Sequence, residues 1–175
     1  MKIKMVLAAL LCSAALASAQ SLYTSSLDGA QDGGGARTGT GFVDLTLNGT
    51  TLTLVGSYSG LSANSTAAHI HGPSGPFPAS AGVIYGLGGP VIPLNVMGGT
   101  INGSVNLIPL QAGAYTVQEQ IDDLNNSLWY INIHSTAFTG GEIRGVIVPV
   151  PEPSTWALLG MGATGLMWFI RRRKA

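Results

Sequence analysis

The chain has one cysteine, Cys12, and it sits inside the apolar stretch that opens the sequence. No disulfide can form within the chain, so packing and backbone hydrogen bonds must hold the fold even in an oxidising compartment. Charge is scarce too, at 9% of residues, and lopsided: Lys2 and Lys4 open the chain, Arg171, Arg172, Arg173 and Lys174 close it, and only Arg37 and Arg144 lie between. Residues 20–149 hold Asp28, Asp32, Asp44, Glu119, Asp122, Asp123 and Glu142 against those two arginines, which gives this body a formal charge of −5. A nucleic-acid partner would need a basic patch that this body cannot supply. A phosphate-cradling loop is missing as well, because Asp32-Gly33-Gly34-Gly35 is not followed by Lys-Ser/Thr or by a helical pattern. The serines near His134 lack an Asp-His-Ser arrangement, and the adjacent carboxylates Asp122 and Asp123 diverge on a helix. No catalytic residue is expected, and no enzymatic activity.

What the chain does have begins at its ends. Met1-Lys2-Ile3-Lys4, an apolar run from Met5 to Leu16 and Ala17-Ser18-Ala19 follow the order of an export signal, which predicts a signal peptide over 1–19 and Gln20 as the mature N-terminus. At the other end Pro151-Glu152-Pro153 breaks the chain before an apolar segment, 154–170, and a basic tail, 171–174. Seventeen helical residues cover roughly 26 Å, slightly less than a hydrocarbon core of about 30 Å. The segment spans a membrane if its ends snorkel, and the cations of the tail stay cytoplasmic, which leaves the body on the periplasmic side.

Pro-Glu-Pro, a short apolar helix and an Arg-rich end resemble the PEP-CTERM sorting signal, over 150–175. The resemblance implies an inner-membrane-anchored precursor, recognised by an exosortase through Pro151, Glu152, Pro153, Arg171, Arg172 and Arg173, and cut near the motif. An ordinary single-pass anchor that is never processed uses the same hydrophobic physics and stays open as the alternative.

Residues 20–149 are the right size for one domain with one core. Phe42 to Leu47 alternates, Asn48-Gly49 signals a tight turn, and Thr51 to Tyr58 alternates again, which predicts a β-hairpin. Further strands are expected over Leu22–Leu27, Ala67–His71, Val83–Leu87, Thr100–Ile108, Leu128–His134 and Glu142–Val148. Between Ala114 and Asn126, Val117, Ile121 and Leu124 recur at helical spacing, so one short helix is expected to cover an end of the fold. Gly72 to Ser80 reads as a surface loop. The fold class is all-β: an antiparallel β-sandwich of two sheets, immunoglobulin-like or Cu/Zn superoxide-dismutase-like in its Greek-key plan, with one short helix and a C-terminal transmembrane helix.

All three histidines fall in Ala67-Ala68-His69-Ile70-His71-Gly72-Pro73 and Trp129-Tyr130-Ile131-Asn132-Ile133-His134-Ser135. On a strand His69 and His71 project from one face. With His134 from a neighbouring strand, they suit a copper or zinc ion, and Glu142 is placed to orient one ring. The alternative is that the rings hydrogen-bond backbone or carboxylate groups where sheets meet. Glu142 and Arg144 share a strand face and read as a surface ion pair worth about 0–1 kcal/mol, or as partners that orient His134.

Leu27-Asp28-Gly29-Ala30-Gln31, Ala68-His69-Ile70-His71-Gly72-Pro73, the His134 segment and Gly141-Glu142-Ile143-Arg144-Gly145 resemble the CHRD domain of chordin and of bacterial secreted proteins. The sequence departs from that pattern at Asp32-Gly33-Gly34-Gly35 and at Thr139, where proline is usual. The resemblance implies a structural or interaction module. The expectation is a cell-surface or extracellular-matrix protein whose partners are extracellular polysaccharide or surface proteins, with a histidine-based metal-binding surface protein as the alternative.

Overall fold

The computed structural model describes residues 20–151, apart from residue 34 and residues 76–78. The alternating segments form β2 (Thr40–Asn48) and β3 (Thr51–Ser59), paired from Thr40↔Ser59 to Asn48↔Thr51. Val43, Leu45 and Leu47 on β2 and Leu52, Leu54 and Tyr58 on β3 are buried, while the intervening side chains face outward. Between the strands Gly49 takes φ 59°, a left-handed conformation that glycine adopts without steric cost.

β1 (Ser21–Asp28) pairs with β2 along its whole length. Its other edge is shared: Asp28 faces Arg144 of β8 (Ile143–Val146), while Tyr23 and Thr24 face Pro149 and Val148 of β9 (Val148–Pro149). Beyond β8 lie β7 (Tyr130–Ser135), β4 (Ser65–His71) and β5 (Val83–Gly86), and beyond β3 lies β6 (Gly99–Asn106). The order is β5-β4-β7-β8-β1-β2-β3-β6, with every pairing between these strands antiparallel.

Hydrogen bonding thus runs through β1 from one half of the fold to the other. The two sheets expected of a sandwich are joined as one, nearly closed and barrel-like. Segment 87–97 draws the free ends together, because Leu87 N–H donates to the Ala68 carbonyl on β4 while Asn102 N–H on β6 donates to the Val91 carbonyl. Ala68, Ile70, Trp129, Ile131, Ile133 and Ile143 from one half meet Leu45, Leu52, Leu54 and Ile101 from the other in a single core.

The expected helix is α1 (Val117–Asn125). It starts at a capping box in which Thr116 Oγ1 accepts from Glu119 N–H at 3.2 Å and the Glu119 carboxylate accepts from Thr116 N–H at 2.7 Å. Leu124 is fully buried, Val117 and Ile121 pack against the core, and the Tyr23 hydroxyl donates to Asn125 Oδ1 at 2.8 Å. The Gly72–Ser80 segment departs from the surface-loop expectation at its start, where Gly72 is buried against the Trp129 ring and leaves no room for a side chain. Among the described residues no helix is long and apolar enough to cross a membrane. The expected signal peptide, 1–19, and transmembrane helix, 154–170, lie outside the described residues.

Candidate functional site

The pairing of β4 with β7 sets Ala67 opposite His134, His69 opposite Asn132 and His71 opposite Tyr130. Residues paired directly across an antiparallel ladder share a face, as do alternate residues along each strand. All three histidines therefore lie on one face, while Ala68, Ile70, Ile131 and Ile133 on the other fill the core. One ring nitrogen from each histidine lies within 4.8 Å of the others, and His69 Nδ1 is 3.2 Å from His134 Nε2. The convergence read from the sequence is present in the fold.

Backbone carbonyls hold two of the rings. His71 Nδ1 is 2.9 Å from the Ala81 carbonyl and His134 Nδ1 is 3.0 Å from the Thr139 carbonyl. A carbonyl oxygen only accepts, so both Nδ1 atoms carry hydrogen, and in the neutral ring Nε2 is then the nitrogen that presents a lone pair. His71 Nε2 is buried with no hydrogen-bond partner. Burial pushes the His69 and His71 imidazoles below their ordinary value, and the ring of His134 pushes both further the same way. For His71 the Ala81 hydrogen bond works in the opposite direction. The net effect keeps these two rings neutral near pH 7.

Tyr130 is the platform of the site. The His71 ring stacks on it at 4.8 Å between centroids with 6° between planes, and the Arg144 guanidinium lies 3.5 Å from its centroid. These two side chains come from β4 and β8, the strands on either side of β7. Arg144 Nη2 also donates to the Ala79 carbonyl at 2.6 Å, and the Tyr130 hydroxyl accepts from Ala81 N–H at 3.2 Å. Residues 79–81 are thereby pinned beside the histidines.

Glu142 does not orient His134. It precedes β8, so strand alternation does not govern its direction, and its Oε1 accepts from both the N–H and the hydroxyl of Ser62. Nor is the Glu142 and Arg144 pair a surface feature: they are 0% and 4% exposed, and Glu142 ties the turn before β8 to the loop between β3 and β4. The ring-orienting role belongs to the carbonyls of Thr139 and Ala81.

Sequence reasoning missed Asp32. The Gly-rich segment had no periodicity to place it, yet it follows a short 3-10 turn, Ala30–Asp32, that sets the carboxylate in the field of His71, His134, Arg37 and Arg144. Burial raises its pKa above the ordinary carboxylate value, with Arg37 and then Arg144 pulling it back. Its Oδ2 is buried without a hydrogen-bond partner. Gly141, at φ 134°, lies so close to Asp32 Oδ2 and the Asn132 amide that any side chain there would overlap both.

The sorting residues are placed only in part. Pro151 is exposed just beyond β9, while Glu152, Pro153, Arg171, Arg172 and Arg173 lie outside the described residues.

A nearly closed antiparallel sheet with one short helix, and with His69, His71 and His134 gathered on one outer face, defines a small all-β module with a histidine face. The family model of the CHRD domain matches residues 23–147, and the chain belongs to that family. Residues 149–174 match the PEP-CTERM protein-sorting motif, which supports export through a membrane-anchored precursor and processing by an exosortase. No curated protein matches the chain, and no solved structure does.

Proposed function

We propose that the chain is a surface or extracellular-matrix protein that an exosortase releases from the inner membrane and that works by contact, not by turnover. The observation that carries this reading is the junction of domain and tail. β9 closes the fold by pairing Pro149 with Tyr23, and the sorting motif starts at that same residue. Display of the folded domain is the purpose such an arrangement fits.

The outward face of β2, β3 and β6 supports a polymer or surface-protein partner. Its cross-strand rows read Phe42, Ser57, Thr100, then Asp44, Val55, Asn102, then Thr46, Thr53, Ser104, a mostly polar surface with the half-exposed ring of Phe42 at one end. Hydroxyl and amide groups around the single carboxylate of Asp44, beside an aromatic ring, suit the hydroxyl groups and apolar ring faces of an extracellular polysaccharide.

Replacing Pro151, Glu152 and Pro153 together with alanine tests the delivery. The unmodified chain is expected in the extracellular polymer and surface fraction, and the triple variant in the inner membrane, at its precursor mass. Equal release of the variant would contradict exosortase sorting. A released wild-type domain that stays free in the medium, bound to neither polymer nor surface protein, would contradict action by contact.

A further inference from the structure

The geometry points to a binding site for one copper or zinc ion formed by His69, His71 and His134 on the outer face of β4 and β7. The inference goes beyond the sorting and display of the domain and does not depend on either. These are the chain's only histidines, and the fold brings 65 residues of sequence separation between His69 and His134 down to 3.2 Å between ring nitrogens.

Lone pairs decide the argument. Thr139 and Ala81 take the Nδ1 hydrogens of His134 and His71, so each ring turns an unprotonated Nε2 elsewhere. Two such nitrogens have no hydrogen to share with one another, and the one on His71 is buried and unsatisfied. A buried acceptor without a donor is destabilising, and a bound cation removes that cost. The His69 ring completes the set: its Nδ1 faces His134 Nε2, and moving its one proton to Nε2 frees a third lone pair without any net loss of a proton. Carbonyl acceptors behind the ring are the usual way in which a ligating histidine is fixed in tautomer and direction.

The distances agree with this assignment. Two nitrogens each 2.0–2.1 Å from a tetrahedral ion stand about 3.4 Å apart, and His69 and His134 already stand at 3.2 Å. The widest separation in the trio, 4.8 Å, closes by about 1.4 Å on coordination. Three neutral imidazoles leave the ion's charge uncompensated, and the Asp32 carboxylate, in the field of His71 and His134, supplies the nearby negative charge. Arg144 and Arg37 flank that carboxylate and temper its effect. Imidazole ligation selects copper or zinc over calcium and magnesium, which take oxygen ligands.

The test uses the full chain in detergent micelles, stripped with a chelator and dialysed against Zn²⁺ alone or Cu²⁺ alone. Metal per chain is counted by elemental mass spectrometry, and the copper form is read by electron paramagnetic resonance. One ion per chain is expected, with nitrogen hyperfine structure for copper and a metal-dependent rise in Tm. His69→Gln and His134→Gln, both at partly exposed rings, should each weaken binding by more than about a hundredfold, and Asp32→Asn by about tenfold. Circular dichroism of each variant establishes that it folds, and His69→Gln serves if His134→Gln does not. Failure of the wild-type chain to bind either ion stoichiometrically would overturn the assignment, as would unchanged affinity in a folded His69→Gln variant.

Discussion

Replacing Trp129 with alanine is expected to cost about 3–5 kcal/mol of stability, the largest loss from any single side chain, and to leave the domain largely unfolded at 37 °C. Trp129 is fully buried, packs against Tyr85 at 6.0 Å between ring centroids and fills the space that Gly72 leaves open. Its indole N–H donates to the Tyr115 hydroxyl at 2.9 Å, and that hydroxyl donates to Asp123 Oδ2 at 2.6 Å on α1. Burial and this carboxylate push the Tyr115 phenol well above its ordinary value, so it remains a donor throughout the physiological range. Trp129→Ala removes the core volume and the hydrogen-bonded link to the helix together. Trp129→Phe keeps most of the volume and should cost clearly less, so the difference between the two in chemical denaturation separates packing from the hydrogen bond.

The second large effect is expected at Glu142, where alanine should cost about 3 kcal/mol, since it removes both hydrogen bonds donated by Ser62, each contributing about 0.5–1.5 kcal/mol, together with the packing of a fully buried side chain. The side chain is fully buried, and its Oε1 satisfies two groups of Ser62 in the loop that connects β3 to β4. Glu142→Gln keeps an acceptor and should lose less than half as much, while Ser62→Ala should lose little more than one hydrogen bond. Equilibrium unfolding of the three variants checks the ranking. Equal losses for Gln and Ala would mean that the carboxylate charge, and not its acceptor geometry, is what the turn requires.

The strands were legible wherever one face of the sheet is buried and the other wet. Val43, Leu45 and Leu47 alternate with outward Phe42, Asp44 and Thr46, and Asn48-Gly49 fixes the turn. The helix was legible from the spacing of Val117, Ile121 and Leu124. What the sequence could not carry is the route of hydrogen bonding around the fold. That β1 serves β2 on one edge and both β8 and β9 on the other depends on long-range register, and it converts two expected sheets into one. The single strand read over Glu142–Val148 is divided for the same reason, as its last residues leave β7 for β1.

At the histidine face, period-two spacing placed His69 and His71 together and proposed His134 correctly as their neighbour. The same spacing applied to Trp129-Tyr130-Ile131-Asn132 would have found Tyr130 and Asn132 on that face. Asp32 was out of reach, because it arrives from a turn with no periodic pattern. Glu142 was misassigned because strand alternation was extended one residue past the true start of β8, and the side chain follows the turn.

The account rests on delivery of this domain to the outside by a processed tail, and the mass of the mature polypeptide tests that most directly. Chains recovered from the extracellular and surface fractions, analysed intact by mass spectrometry, should begin at Gln20 and should lack the apolar segment and basic cluster that follow the Pro151-Glu152-Pro153 motif. Full-length polypeptide from Met1 to Ala175, recovered soluble from the cytosol, would contradict the account at its centre.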